Sequence, residues 1–156
     1  MGPKSASYIA TFFGLGLFRI SPGSIASLVT ALLWYGLYLF IDLSIIVTFF
    51  INLFIFLNAY QSISEYQKTS NKYDPQEIVI DEVSGMSISL IGSSLYFSAT
   101  YFLLAFLIFR ILDFFKPSLI YRFEVDKEDS SILMDDVVAG LFTLLIMLSL
   151  SSSGIV

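Results

Sequence analysis

The sequence predicts an all-α integral membrane protein, a bundle of about four to five membrane-embedded helices that forms one domain over residues 1–156. Hydrophobic residues make up 56% of the chain, and its mean hydropathy is +0.83. A soluble domain of this length needs more polar surface. Four apolar stretches approach the roughly 20 residues that span the hydrocarbon core of a bilayer. They cover residues 25–41, 43–60, 95–112 and 137–150.

Two residue types are absent from the chain, and each absence excludes a class of chemistry. There is no Cys, which excludes disulfides, thiolate nucleophiles and thiolate metal sites. There is no His, which removes the commonest general base and every imidazole metal site. A net charge of −5 argues against a nucleic-acid partner, because such partners call for a basic face. Any reaction must therefore use carboxylates, hydroxyls, Lys, Arg or a bound metal.

A capped helix start leads into the first apolar stretch. Ser21 suits the cap and Pro22 the first turn, where a missing N–H is tolerated. The free N–H groups that follow, with the hydroxyls of Ser24 and Ser27, favour a phosphate group. An ordinary helix start without any ligand explains the same residues.

The segment 78–90 has a helical pattern that Asp81, Glu82 and Gly85 interrupt. It could dip into the membrane, lie at the interface, or cross with its polar residues buried in protein. Two adjacent carboxylates in an apolar setting are expensive to bury without compensation. A metal ion is the natural compensation.

The end of the third apolar stretch carries Arg110, Asp113 and Lys116 at intervals of three, so the three side chains share one helix face. A local ladder of ion pairs is one interpretation. The other is a metal-binding carboxylate flanked by two cations for phosphate oxygens.

The last apolar stretch opens with Asp135 and Asp136. Acidic residues in a first turn complement the helix dipole, and that alone can explain the pair. Asp136 nevertheless shares a face with Gly140, and small residues there permit close helix approach. The pair could thus meet the other carboxylates.

The basic residues predict the orientation of the bundle. If the segment 78–90 crosses, every basic residue lies on or next to one side, which the positive-inside rule makes cytoplasmic, and the acidic clusters lie on that side too. If it does not cross, this asymmetry disappears. The basic residues are Lys4, Arg19, Lys68, Lys72, Arg110, Lys116, Arg122 and Lys127.

Several blocks of the chain, in order between about residues 13 and 140, resemble the phosphatidylglycerophosphatase A family. These blocks are residues 13–14, 22–24, 78–83, 85–86, 109–113, 116–117 and 135–140. The chain departs from the family pattern near Arg19, at Ala26, at Leu119 and over residues 128–131. None of these departures removes a carboxylate.

The resemblance implies a Mg²⁺-dependent phosphatase of the bacterial inner membrane, with its active site facing the cytoplasm. The substrate would be the lipid phosphatidylglycerophosphate and the products phosphatidylglycerol and phosphate. The implied metal ligands are Asp81, Glu82, Asp113, Asp135 and Asp136, and all of these except Asp135 are also expected to act in catalysis. The expected substrate contacts are Arg110, Lys116, Ser24 and Arg19, the last of them a possible contact to the lipid headgroup.

A small transporter or channel with cation-binding carboxylates is the alternative. It predicts carboxylates near the middle of the bilayer and access from both faces. The sequence instead places them at helix ends on one side.

Overall fold

The computed structural model describes residues 1–70, 75–115 and 131–154. These ranges contain six α-helices and no strand. The helices are α1 (Pro3–Ala10), α2 (Pro22–Phe40), α3 (Ile45–Ser70), α4 (Ile80–Ser89), α5 (Ala99–Phe115) and α6 (Ser131–Ser152). Short 3-10 turns cover Leu15–Leu17 and Ile91–Ser94. The prediction of an all-helical protein is confirmed for the described part of the chain.

Three helices are long and apolar enough to cross a membrane: α2, α3 and the part of α6 from Ile132 to Ser152. Large hydrophobic side chains are exposed along them, including Leu33, Phe54 and Leu145. An exposed apolar surface of this extent is unfavourable in water and suits contact with lipid. The prediction of a membrane protein is therefore supported, with three candidate spans among the four to five embedded helices expected.

Helices α2 and α3 run antiparallel but make few direct contacts along their length. The link between them is only four residues long, and the Tyr38 and Thr48 hydroxyl oxygens lie 2.6 Å apart next to it. Helix α3 has 26 residues and α2 has 19, so the last turns of α3 extend past the start of α2. Lys68 in the last turn of α3 and Arg19 before α2 therefore belong to the same end of the bundle.

Helix α4 lies at the centre of the bundle. It packs most extensively against α6 and also contacts α2, α3 and α5. Eight of its ten residues are buried. The Trp34 indole N–H on α2 donates a 3.0 Å hydrogen bond to the Ser87 hydroxyl on α4. A helix surrounded on all sides can carry small and polar residues because it has no lipid-facing surface to cover.

Glycines set the closest approach in the bundle, which is the crossing of α4 and α6. A Cβ atom on Gly140 would clash with the backbone carbonyl of Gly85, and one on Gly85 would clash with that of Asp136. Small residues at a helix crossing allow the two backbones to touch in this way.

The segment after α4 lies against the C-terminal end of α2. The Tyr35 and Phe97 rings stack at 5.5 Å, and a cavity of about 350 Å³ lies between Tyr38, Asp42 and Ser93. The start of α4 lies instead against the first turn of α2, where Glu82 contacts Gly23. The segment from α4 to its following turn thus runs through the bundle interior from one end of α2 to the other.

Replacing Gly140 by Ala tests the α4–α6 crossing. The added methyl group must push the backbones apart, and overpacking of this kind costs about 1–3 kcal/mol. We expect a lower midpoint of thermal unfolding for Gly140→Ala, measured on purified protein in detergent. Gly36→Ala on α2 is the control, because a Cβ atom there meets nothing within 4 Å. Equal midpoints for the two variants would contradict the described crossing.

Candidate active site

Backbone contacts fix the position at which α4 begins. The N–H of Val79 donates a 3.0 Å hydrogen bond to the carbonyl of Ala10 at the end of α1. Gly16 lies so close to the carbonyl of Glu77 that any side chain on Gly16 would clash with it. These contacts hold the segment before α4 against α1 and its following turn. The first turn of α4, which carries Asp81 and Glu82, is thereby held in place.

Three carboxylates meet in the interior of this end of the bundle. One oxygen from each of Asp81, Glu82 and Asp136 lies within 4.8 Å of the other two, and we call this group the carboxylate cluster. The side chains of Asp81 and Asp136 are only 8% and 5% exposed. The arrangement is therefore an interior feature of the fold and not a solvated acidic patch.

The helix crossing explains why these carboxylates meet. Asp81 lies four residues before Gly85 on α4, and Asp136 lies four residues before Gly140 on α6. A spacing of four places each Asp on the same helix face as its glycine, one turn away. Because the two glycines touch, the two Asp side chains are brought together one turn from the crossing.

Glu82 points in a different direction, towards α2. Its Oε1 atom lies against Gly23 in the first turn of that helix, where a Cβ atom would clash with it. The start of a helix carries free N–H groups and a partial positive charge, which favour a nearby carboxylate. Because Gly23 has no side chain, the carboxylate of Glu82 can lie against the first turn of α2, where the helix dipole favours a negative charge.

The carboxylate cluster has too little compensating charge among the described residues. Asp81 is repelled by both Glu82 and Asp136. Oδ1 of Asp81 and Oε2 of Glu82 are buried and receive no hydrogen bond from any residue within the described ranges. Buried carboxylates normally have a cation or hydrogen-bond donors as partners. A hard divalent cation such as Mg²⁺ fits this donor set, because its preferred ligands are carboxylate oxygens.

A cation lies beside the carboxylate cluster on α5. Nη1 of Arg110 is 2.5 Å from Oδ2 of Asp113 and 3.5 Å from the hydroxyl of Ser27, which in turn donates to the carbonyl of Gly23. Glu82 experiences the charges of both Arg110 and Asp113. The guanidinium group thus stands between α5 and the start of α2, next to the carboxylates.

The other candidate residues divide into three groups. Asp135 is buried, at 3% exposure, but it does not belong to the three-residue cluster. Ser24 is half-buried in the first turn of α2, and Arg19 is exposed in the loop before it. Lys116 lies outside the described residues.

Two residues that our candidate set omitted contribute to the geometry. Gly23 lacks a side chain and so leaves space for the carboxylate of Glu82, and the hydroxyl of Ser27 accepts a hydrogen bond from Arg110. The sequence did indicate a polar site at the start of this helix, because the hydroxyl of Ser27 follows the segment Pro22-Gly23-Ser24. The glycine could not be assigned a role because its partner is distant in the sequence.

Comparison with known proteins gives two matches. The family model "Phosphatidylglycerophosphatase A" matches residues 8–151. A curated protein of Bacteroides thetaiotaomicron, named "Putative phosphatidylinositol-3-phosphatase", is 28% identical over 144 residues, with 88% of each chain covered. No solved structure matches the chain.

Replacing Asp81 by Asn tests the charge imbalance of the carboxylate cluster. With divalent cations removed by a chelator, we expect Asp81→Asn to be more stable than the parent protein by about 1–3 kcal/mol, because it relieves the repulsion from Glu82 and Asp136. Chemical unfolding in detergent with a chelator present measures the difference. Asp42→Asn is the matched control, because Asp42 is exposed at the opposite end. A destabilised Asp81→Asn protein would show that the negative charge at this position is already compensated by the fold.

Proposed function

Because the chain belongs to the phosphatidylglycerophosphatase A family, we propose that it hydrolyses the phosphate monoester of phosphatidylglycerophosphate and releases phosphatidylglycerol and phosphate. The observation that carries this proposal is the carboxylate cluster with Arg110 at its side, buried at one end of a bundle of membrane helices. A lipid phosphatase needs such a position, since the acyl chains of its substrate stay in the bilayer while the phosphate reaches the membrane surface.

The Bacteroides thetaiotaomicron relative, which is named "Putative phosphatidylinositol-3-phosphatase", suggests phosphatidylinositol 3-phosphate as a second candidate substrate. Both lipids carry a phosphate monoester, so the same cluster suits either reaction. The family match extends over residues 8–151 and includes every described candidate residue. We therefore assign phosphatidylglycerophosphate as the substrate and use the inositol lipid as the comparison.

Mg²⁺ is the proposed cofactor, and Asp81, Glu82 and Asp136 would hold it. When bound, it supplies a Lewis acid that polarises the phosphate and lowers the pKa of water. Asp113 and Asp135 remain further candidate ligands from the sequence. Without a cation, the cluster repels an anionic phosphate, so substrate binding at this position is expected to depend on the metal.

Arg110 is the proposed phosphate-binding residue of the described site. A guanidinium group matches the geometry of phosphate oxygens and keeps its charge at any physiological pH. Asp113 and Ser27 hold it beside Glu82 before substrate arrives. On binding, the phosphate replaces part of the contact with Asp113. Removing Arg110 should therefore weaken substrate binding and slow the reaction together.

The start of α2 offers further phosphate contacts. The first N–H groups of a helix and the hydroxyl of Ser24 favour an anion. Arg19, exposed in the loop before α2, would contact the lipid headgroup from outside. Lys116 follows α5 in the sequence, and its role as a second cation stays a prediction.

We further propose that this end of the bundle faces the cytoplasm of a bacterial inner membrane, and that α4 and α5 complete five crossings with the three candidate spans. Arg19, Lys68 and Arg110 belong to the end that holds the carboxylate cluster, while Asp42 lies at the other end. The positive-inside rule supports this orientation.

Phosphate release from purified protein in detergent tests the reaction. We expect release from phosphatidylglycerophosphate with Mg²⁺ and none with excess chelator, and a larger kcat/KM than for phosphatidylinositol 3-phosphate. Asp136→Asn should lower turnover by at least about 10–100-fold, the loss that follows mutation of groups that merely support metal ligands. Asp42→Asn should keep the parental rate. Folded protein that releases no phosphate from either lipid with Mg²⁺ would overturn the proposal and favour a cation transporter.

Single cysteines test the orientation, because the natural chain contains none. We expect Ser21→Cys, exposed before α2, to react with a membrane-impermeant maleimide only after the inner membrane is opened. Asp42→Cys should react in intact spheroplasts. The reverse pattern would place the carboxylate cluster on the outer side.

A further inference from the structure

A groove of about 540 Å³ runs between α2 and α3, apart from the carboxylate cluster. We call it the α2–α3 groove. Helix α4 forms its floor through Ile80, Val83 and Ser87, and the turn after α1 contributes Phe12 and Phe13. Its volume is within the range of about 300–1,000 Å³ that is usual for small-molecule sites.

The lining of the α2–α3 groove is suited to an apolar occupant. Three polar side chains line it, and each already makes a hydrogen bond within the protein. Thr30 donates to the carbonyl of Ala26, Asn58 donates to that of Phe54, and Ser87 accepts from Trp34. The remaining described lining residues are aliphatic or aromatic. A polar ligand would therefore lose most of its hydration and find few partners there.

The α2–α3 groove is continuous with the lipid-facing surface of the bundle. Both of its walls are candidate membrane spans. Leu33 and Phe54 belong to its lining and are 59% and 68% exposed. An occupant therefore enters sideways from the bilayer, where the available apolar molecules are lipid acyl chains.

The position of α4 connects the α2–α3 groove with the site. Ile80 lines the groove, and the next residue, Asp81, belongs to the carboxylate cluster. The α2–α3 groove and the carboxylate cluster therefore lie on neighbouring faces of the first turn of α4.

We propose that the α2–α3 groove binds one acyl chain of the lipid substrate and thereby selects long-chain lipids over soluble phosphate esters. The assignment rests on the proposed phosphatase function. Contacts with the chain contribute binding energy remote from the phosphate, which can hold the reacting group in position.

Filling the groove tests the proposal. Leu33 and Leu37 line it one turn apart on α2, and their replacement by Phe narrows it. The control is the same double replacement at Leu141 and Leu145, which are exposed one turn apart on α6 outside the groove. We expect the groove variant to lose about tenfold in kcat/KM on a dipalmitoyl substrate, because small changes in an apolar pocket have effects of roughly that size. On a dihexanoyl substrate, both variants should match the parent protein.

The fluorescence of Trp34 gives a readout that needs no turnover. Trp34 is the single tryptophan and lines the α2–α3 groove at 5% exposure. A non-hydrolysable phosphonate form of the substrate with brominated acyl chains (the brominated substrate), added with Mg²⁺, should quench Trp34 in the parent protein and in the α6 control. Quenching should be weaker in the groove variant.

The outcomes separate the two claims. No phosphate release by the parent protein from either substrate would overturn the proposed function. Parental activity with equal kcat/KM for the groove variant and the control would overturn the acyl-chain site alone. Equal quenching of Trp34 by brominated phosphatidylcholine and by brominated substrate would also overturn it, because bulk lipid would then occupy the groove.

Discussion

The position of the carboxylate cluster depends on the close crossing of α4 and α6. Because Gly85 and Gly140 bring the two backbones into contact, Asp81 and Asp136 meet one turn away. Burial of carboxylates together is unfavourable unless a cation or several donors compensate their charge. We propose that a ligand that brings positive charge completes this arrangement at the end of the lipid-exposed bundle.

The composition of α4 follows from its central position. Backbone groups inside a membrane must be satisfied within the protein, and the same applies to hydroxyl groups. Ser89 donates to the carbonyl of Gly85, as Ser27 does to Gly23 and Thr143 to Ala139. At these three positions small hydroxyl residues pack tightly with their donors paired, whereas the buried hydroxyl of Ser84 on α4 has no partner among the described residues. Many of the large apolar side chains are exposed on the outside of the bundle.

Much of the geometry of the candidate site could be predicted from local sequence. Apolar stretches predicted four of the described helices, and adjacent carboxylates in an apolar segment indicated Asp81 and Glu82 as candidate metal ligands. The four-residue spacing of Asp136 and Gly140 correctly indicated that a close approach could carry an Asp to the others. Each of these inferences needs only residues within one helix.

Contacts between distant segments could not be predicted in the same way. The three-residue spacing of Arg110 and Asp113 indicated their ion pair, but it does not predict that Arg110 also donates a hydrogen bond to Ser27 on α2. The contact of Glu82 with Gly23 depends on how α2 packs against α4, which periodicity does not specify. The α2–α3 groove likewise forms only when α2, α3, α4 and the turn after α1 pack together.

Direct titration with Mn²⁺, followed by electron paramagnetic resonance, tests whether the carboxylate cluster is a divalent-cation site. We expect saturable binding to the protein in detergent that Mg²⁺ displaces. Asp81→Asn and Asp136→Asn should weaken binding by at least about 10–100-fold, the loss that follows mutation of groups supporting metal ligands, whereas Asp42→Asn should leave it unchanged. Folded protein that binds no Mn²⁺, or binds it equally well in all three variants, would show that the cluster is not such a site.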